Sequence, residues 1–353
     1  MRKRVFWVLA VVAWSLIFAA AASADPAVTG YPGSLAATGD SITQAYDADS
    51  LFPPGARAQY SWATGSSTSV DSIYLRILAA NAAIAGHGFN DSVTGAKMID
   101  LAGQVTGAIA QHAQEVTILL GANDVCTSSA ATMTSVTDFH SQLASAMRKL
   151  SQGLPNARIY VVSTPSVYQL WSVLKGNASA RSVWSSFSIC QSMLANPLST
   201  AQADVDRRAA VLQRETDFNS QLQKVCARYV HCRFDGDAVF NYPYVAADAN
   251  TLDYFHPSIT GQAILASVAW SHGFDFTDAT APMSTATVTT VTGGASVTLS
   301  ATDNVKVSGI EYRIGTGHYV RYVKPVVVTS GATITWRAVD VNGNTEPTHS
   351  RTI

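Results

Sequence analysis

The stretch that decides the fold is Leu35-Ala36-Ala37-Thr38-Gly39-Asp40-Ser41-Ile42, where a short apolar run ends in a glycine and two polar residues. Comparable apolar runs recur at 116–120 and 158–163, with a weaker one at 229–234. Short apolar runs bounded by glycine or polar residues are typical of buried strands. We therefore expect a series of short strands, with Ser41 at a transition from strand to helix.

Longer segments with helical periodicity separate these apolar runs. They span residues 72–85, 98–114, 136–152, 203–227 and 259–271. Strands that alternate with helices predict a parallel sheet covered on both faces, so the pattern indicates an α/β domain. Reactive groups in such sheets gather beyond the carboxyl ends of the strands. Ser41, Asn123 and Pro165 each follow such an end, which predicts one shared site.

The character of the sequence changes near its end. From about residue 279 the chain is rich in Thr, Val, Ser and Gly, and Gly315-Thr316-Gly317 separates two strand-like runs as a hairpin turn would. This indicates an α/β domain over 25–278 and a small all-β domain over 279–353. The composition of the linker around 278–285 predicts few contacts between the two domains.

The amino terminus has the pattern of an export signal. A basic Arg2-Lys3-Arg4 precedes an apolar run over 5–22, and Ala22-Ser23-Ala24 supplies small residues for cleavage. We predict a signal peptide over 1–24, cut after Ala24, and a secreted, extracellular protein. The alternative is an uncleaved membrane anchor.

Composition excludes some classes of partner. The chain has 23 basic and 24 acidic residues, and no basic stripe that would indicate a nucleic-acid partner. Hydrophobic residues make up 47% of the sequence and charged residues 13%, which favours a large compact core over disorder. We expect a monomer.

The four cysteines form an even set, which in an exported chain predicts two disulfides with three possible connectivities. Cys226 and Cys232 are close in sequence, so we pair them with each other. That leaves Cys126 with Cys190. A zinc site is the alternative, but no C-x-x-C pair is present.

Three polar positions suggest chemistry. Ser41 follows the first apolar run, Asn123 follows the run at 116–120, and Asp253 stands three residues before His256. A serine, a histidine and an aspartate that meet in a fold can carry out acyl transfer, and an amide at a strand end can hold an oxyanion. Structural alternatives exist for each: a helix N-cap serine, a surface histidine, and a turn asparagine.

In combination these residues resemble the GDSL/SGNH hydrolase superfamily over about residues 34–272, and the flanking segments look like its secreted bacterial branch. Ser41 matches the block I nucleophile and Gly95 the block II glycine, whose N–H serves the oxyanion hole. Asn123 matches the block III side-chain donor, and Asp253 and His256 match block V.

The resemblance implies a flavodoxin-like three-layer α/β/α sandwich and ester hydrolysis without a metal or other cofactor. His256, oriented by Asp253, would take the proton of Ser41, and the oxyanion would rest on the N–H groups of Ser41 and Gly95 and on the amide of Asn123. Asn90 competes with Gly95 for the block II position, and most loop glycines serve only the turn.

The resemblance leaves the substrate open. It implies an ester of a lipid, a small ester, or an acetylated polysaccharide; a non-catalytic surface-binding protein is the alternative from another class. Residues 279–353 resemble bacterial immunoglobulin-like modules, which could attach the enzyme to a polymer or a cell surface. Four aromatic residues there could form a sugar-binding face, although aromatic residues in strands are more often core. They are Tyr312, Tyr319, Tyr322 and Trp336.

Overall fold

The computed structural model of the protein describes residues 28–353, so the predicted signal peptide lies outside the described residues. None of the helices found in that part of the chain combines the length and the apolar character needed to cross a bilayer.

The elements fall into two groups along the chain. The first group of strands is β1 (Leu35–Gly39), β2 (Gly88–Asn90), β3 (Glu115–Leu119), β4 (Arg158–Val161) and β5 (Cys232–Phe234). The helices are α1 (Ile73–Ala80), α2 (Leu101–Ala110), α3 (Ala122–Val125), α4 (Val136–Gly153), α5 (Val167–Leu174), α6 (Ala178–Ser186), α7 (Gln191–Leu194), α8 (Gln202–Cys226), α9 (Ala238–Asn241) and α10 (Ile259–His272). The second group of strands is β6 (Met283–Val291), β7 (Gly294–Thr302), β8 (Val307–Ile314), β9 (Val320–Arg321), β10 (Val326–Thr329), β11 (Thr333–Asp340) and β12 (His349–Thr352).

The first five strands form one parallel sheet in the order β2-β1-β3-β4-β5. The chain leaves β1 toward β2 on one side and continues with β3 on the other, so the winding reverses between β1 and β3. Doubly wound sheets bind their ligands at this point, beyond the carboxyl ends of the strands. The sheet and its helices confirm the predicted α/β class.

Side chains alternate between the two faces of the sheet, as a strand requires. In β1, Leu35 and Ala37 pack with the face covered by α1 and α10, whereas Ala36 packs with the face covered by α2, α4 and α8. All residues of β1 and β3 are buried, which explains why both strands are largely apolar in the sequence, with Glu115 at the start of β3 as the charged exception.

The largest local difference from the sequence prediction lies directly after β1. Ser41 does not begin a helix; it is followed by consecutive turns through Asp49. Ala45 and Asp47 have positive φ angles of 51° and 56°, and a left-handed conformation interrupts a helix. The backbone N–H groups near Ser41 therefore belong to a turn and not to a helix N-terminus.

The second group of strands confirms the predicted all-β domain. Two antiparallel sheets, β10-β7-β6 and β12-β11-β8-β9, enclose a small apolar core that includes Val297, Ile334 and Trp336. Tyr312 and Tyr322 pack against this core with their rings 6.3 Å apart. The four aromatic residues thus do not form one exposed face.

The junction between the two domains is more extensive than the linker composition predicts. Arg158, 1% exposed at the start of β4, donates from Nε to the carbonyl of Asn342 (2.9 Å) and from a terminal nitrogen to Asn344 Oδ1 (3.1 Å). Gly343, with φ of 75°, lies against this guanidinium, and an added Cβ would fall within 2.6 Å of Arg158 Nε. The β-domain turn is therefore built around a side chain of the α/β domain.

A second arginine crosses the junction in the opposite direction. Arg337 of β11 is fully buried, and its guanidinium donates to Glu311 Oε1 (2.6 Å), to the carbonyl of Pro155 (2.8 Å) and to Asn156. Glu311 also contacts His231 Nε2 at 3.2 Å. Each domain thus inserts one buried arginine into the other, and the expectation of few contacts between the domains is wrong.

Candidate active site

Ser41, His256 and Asp253 form a hydrogen-bonded series at the carboxyl end of β1. The Ser41 hydroxyl donates to His256 Nε2 over 2.7 Å, and His256 Nδ1–H donates to Asp253 Oδ2 over 2.6 Å. Ser41 is 5% exposed, so little of its surface contacts solvent. A hydroxyl, an imidazole and a carboxylate in this order can generate a nucleophile by proton transfer.

A tight turn holds Asp253 and His256 in place. Asn250 is fully buried, and its Nδ2 donates to Asp253 Oδ1 (2.8 Å) and to the carbonyl of His256 (3.0 Å). Asp253 Oδ1 also accepts from the backbone N–H groups of Phe255 and His256. Sequence reasoning missed Asn250, because an asparagine in a polar loop gives no sign of what its amide binds.

The carboxyl of Asp253 is kept ionised by its partners. Burial pushes its pKa upward, but the hydrogen bond and charge of His256, with the backbone N–H groups of His256 and Phe255, outweigh burial. The pKa therefore lies below its usual range. A carboxylate that stays charged fixes the Nδ1–H tautomer of His256 and stabilises the imidazolium once the proton of Ser41 arrives.

Gly95 lies in an exposed loop that is fastened to the segment around Ser41. Val93 N–H donates to the carbonyl of Gly39 (3.1 Å), and Gln44 Nε2 donates to the carbonyl of Ser92 (2.7 Å). Gly95 has a φ of 80°, a conformation that disfavours a side chain. The loop therefore runs beside the carboxyl end of β1 with a glycine at its turn.

Asn90, the competing candidate, has a structural role. Its Nδ2 donates to the carbonyl of Thr43 (3.0 Å), and its Oδ1 accepts from the backbone N–H of Ser92 (3.2 Å). The side chain thus joins the end of β2 to the turn after Ser41, with its amide engaged by the protein itself.

Asn123 is the second residue of the short helix α3, just beyond β3. Gly121 precedes it with a φ of 136°, where an added Cβ would fall 2.6 Å from Thr164 Oγ1. The Asn123 Nδ2 donates one N–H to the carbonyl of Ala96 (3.0 Å), next to Gly95. Its second N–H has no acceptor within residues 28–353 and can serve a bound substrate.

Two buried carboxyl groups brace these loops. Asp40 Oδ1 accepts from the N–H of Ile42 (2.9 Å), and Asp124 Oδ2 accepts from the N–H of Met98 (2.9 Å). The pKa of Asp40 is raised to about 7: burial is the main cause and the charge of Asp124 adds to it, while the Ile42 N–H and the charge of His256 oppose the rise. Both acids thus shape the backbone on either side of the site.

The structure contains the two disulfides in the expected pairing, Cys126–Cys190 and Cys226–Cys232. Cys126 ends α3, and Cys190 precedes α7. The first disulfide therefore fastens the helix that carries Asn123 to the region after α6, where Ser192 Oγ also donates to the carbonyl of Val125 (2.6 Å).

An apolar pocket of about 80 Å³ opens beside His256. Its walls come mainly from α5 and from the segments before and at the start of α10. The lining includes Val167, Leu170, Val173, Val245, Phe255 and Leu265. Helix α5 is not among the helical segments predicted from the sequence, although its buried Val167, Trp171 and Leu174 recur at helical spacing. The pocket can accept a small apolar group of a substrate next to the histidine.

Among residues 28–353, one group of carboxylates is close enough to hold a metal ion, and it lies at the domain junction and not at Ser41. Asp278, Asp303 and Asp340 offer oxygens within 4.8 Å of one another. Asp340 already accepts from the N–H groups of Asn342 and Asn344 at 2.8 Å. Asp340 and Asp278 hold the turn that receives Arg158, whereas Asp303 accepts from the N–H groups of Val305 and Lys306.

The chain is similar to several proteins of known structure. An extracellular lipase from Streptomyces rimosus is 15% identical over 68% of this chain and 99% of its own, with a TM-score of 0.40. An acetyl xylan esterase is 14% identical over 67% and 98%, with a TM-score of 0.42. A family two carbohydrate esterase with a carbohydrate binding domain, from Corynascus thermopiles, is 17% identical over 68% and 65%, with a TM-score of 0.41. No curated protein matches the sequence. The family model of the GDSL-like lipases and acylhydrolases matches residues 35–269.

Proposed function

The chain belongs to the GDSL-like lipase/acylhydrolase family and is therefore a carboxylic ester hydrolase, and from that premise we propose that Ser41, His256 and Asp253 carry out the reaction. The observation that carries this proposal is the 2.7 Å hydrogen bond from the Ser41 hydroxyl to His256 Nε2. Asp253 supports the proposal because its Oδ2 accepts a hydrogen bond from His256 Nδ1 over 2.6 Å.

The reaction proceeds in two halves. His256 accepts the hydroxyl proton as Ser41 Oγ attacks the ester carbonyl, and His256 then gives that proton to the departing alcohol. Water, deprotonated by the same imidazole, attacks the acyl group on Ser41. His256 then returns the proton to Ser41 Oγ as the acyl–oxygen bond breaks and the acid leaves. Asp253 stabilises the imidazolium that forms in each half.

The oxyanion of each tetrahedral intermediate is held by the N–H groups of Ser41 and Gly95 and by the free amide N–H of Asn123. Support comes from the fastening of the Gly95 loop beside β1 and from the hydrogen bond of Asn123 to Ala96 (3.0 Å), which brings the two donors together. Donors that are already fixed in place stabilise developing charge without reorganisation.

The apolar pocket favours esters with a short apolar group. A space of about 80 Å³ beside His256 has room for a chain of roughly a few carbon atoms. Esters of small organic acids and acetyl groups on a polysaccharide both fit it, whereas a long fatty chain would extend into solvent. The signal peptide predicted over residues 1–24 and the two disulfides support a secreted enzyme.

The test is a panel of p-nitrophenyl esters of rising acyl length, measured beside acetylated xylan. We expect turnover of the short esters, abolished in Ser41→Ala and unchanged in Ser69→Ala, an exposed serine outside the site. Full activity of Ser41→Ala, with a circular dichroism spectrum like that of the parent, would remove Ser41 from the mechanism. If acetate is released faster from acetylated xylan than from p-nitrophenyl acetate, the result would favour the polysaccharide substrate.

A further inference from the structure

A second cavity, of about 540 Å³, lies between the two domains. One wall comes from the end of α4 and from the segments before β4 and β5; the other comes from β8, β9 and the hairpin between them. These segments lie at the amino ends of β4 and β5, whereas Ser41 follows the carboxyl end of β1. The cleft is therefore at the edge of the sheet opposite the candidate active site.

The cleft is strongly cationic. Arg148 and Arg228 lie on the wall from the α/β domain, and Arg313 and Arg321 lie on the wall from the β-domain. The one acidic residue of the lining, Glu311, is already engaged by Arg337 and His231. Within residues 28–353, none of the four arginines forms an ion pair with an acidic side chain. Positive charge therefore gathers here in a chain whose formal net charge is −1.

Two buried nitrogen atoms of the lining lack hydrogen-bond partners in the described chain: Arg313 Nε and His231 Nδ1. The guanidinium of Arg313 stacks on the ring of Tyr319, 4.8 Å from its centroid, which fixes its orientation. Arg313 therefore places a positive charge of fixed orientation in the lining of the cleft. The planar fork of a guanidinium suits the binding of an oxyanion.

We propose that this interdomain cleft binds an acidic oligosaccharide, a chain of sugar units that carry carboxylate groups. Its volume falls in the range of about 300–1,000 Å³ that is usual for organic ligands and exceeds the needs of one inorganic ion. The arginines on opposite walls match negative charges repeated along a ligand. Polar groups for sugar hydroxyls are present at Ser151, Tyr229 and Thr316.

Other anionic partners fit the cleft less well. A flat bilayer cannot bring its headgroups against both walls of a concave site. Single-stranded nucleic acids need free aromatic faces for base stacking, and the ring of Tyr319 is already occupied by the guanidinium groups of Arg313 and Arg337. The site would keep the enzyme on a carboxylated polysaccharide while Ser41 acts at the opposite edge.

The experiment is calorimetric titration of the intact mature protein with trigalacturonic acid, and with a neutral galactose trimer, in 50 mM NaCl. We expect the acidic trimer to bind at least tenfold more tightly than the neutral one, and its affinity to fall in 300 mM NaCl. Arg148→Gln combined with Arg228→Gln should weaken binding at least tenfold. Both arginines are exposed, so the double variant should fold.

The matched control replaces two exposed cations outside the cleft, Lys306→Gln with Arg351→Gln, and should bind like the parent. Turnover of a short ester should be the same in all these proteins, which keeps this test separate from that of the Ser41 mechanism. Equal affinity for both trimers would overturn the proposal, and so would unchanged binding in the Arg148/Arg228 variant. Inorganic phosphate that binds as tightly as the trimer, or phosphatidylserine vesicles that bind when the trimer does not, would overturn it too.

Discussion

Asn123 is the side chain whose loss best separates transition-state stabilisation from substrate binding. Its Nδ2 has one N–H on the carbonyl of Ala96 (3.0 Å) and one left for an oxyanion. Asn123→Ala should lower kcat about a hundredfold or more, since a lost oxyanion donor costs about 2.7–4 kcal/mol. Steady-state kinetics on a short p-nitrophenyl ester measures this, and Asn241→Ala at the exposed end of α9 is the control. A change confined to KM would mean that Asn123 binds the ground state.

Residues of the candidate site differ in how far their roles could be foreseen. Ser41 and Asn123 follow apolar runs, and that pattern carries information about strand ends. The sequence left both Gly95 and Asn90 as candidates for block II, and the assignment to Gly95 stays a prediction. The structure adds that the Asn90 amide donates to the carbonyl of Thr43, a contact that no sequence pattern encodes. Asn250 gave no signal at all, because it acts through hydrogen bonds within a turn.

Helix α5 is the element that most directly shapes the apolar pocket, and a buried acid holds its start. Glu215 on α8 accepts from the N–H of Val167 (2.7 Å) and is 1% exposed. Burial raises its pKa from 4.5 to about 8, although the N–H groups of Val167 and Tyr168 and the Ser166 hydroxyl oppose the rise. The folded chain therefore keeps a proton on Glu215 that the unfolded chain has lost.

This proton makes stability depend on pH. Between about pH 4.5 and 8 the folded state binds more protons than the unfolded state, so rising pH lowers the free energy of unfolding. Glu215→Gln keeps an oxygen for the N–H of Val167 but cannot ionise. Its Tm should fall less than that of the parent as pH is raised from 5 to 8 in a thermal melt. Parallel curves for the two proteins would show that Glu215 does not titrate in this window.

At the scale of the whole molecule, buried side-chain contacts join the two domains. Arg337 is fully buried between Glu311 and the carbonyl of Pro155. Arg337→Ala removes the ion pair with Glu311. Removing one partner of a buried ion pair lowers the free energy of unfolding by about 3–5 kcal/mol. A lower Tm is expected, with kcat/KM for a soluble ester unchanged at 25 °C because the site lies at the far edge of the sheet. Arg351→Ala, exposed on β12, is the control, and an unaltered Tm in Arg337→Ala would contradict this account.

The junction also shows what composition cannot predict. Arg158 and Arg337 lie in strands, and each guanidinium donates to a backbone carbonyl more than a hundred residues away in the sequence, that of Asn342 and that of Pro155. The linker over 278–285 looks like a flexible connection, yet Val28 near the start of the described chain pairs with Thr345 near its end. Local periodicity could predict the two domains, but only the folded chain brings such distant partners together.

The most direct test of the central claim is covalent trapping of the nucleophile. The intact mature protein is treated with diisopropyl fluorophosphate, and its peptides are analysed by mass spectrometry. The account predicts one diisopropylphosphoryl group on Ser41, loss of esterase activity in step with labelling, and no label in Ser41→Ala or His256→Ala. Labelling of another serine with loss of activity, or full inactivation of Ser41→Ala turnover by the reagent, would contradict it.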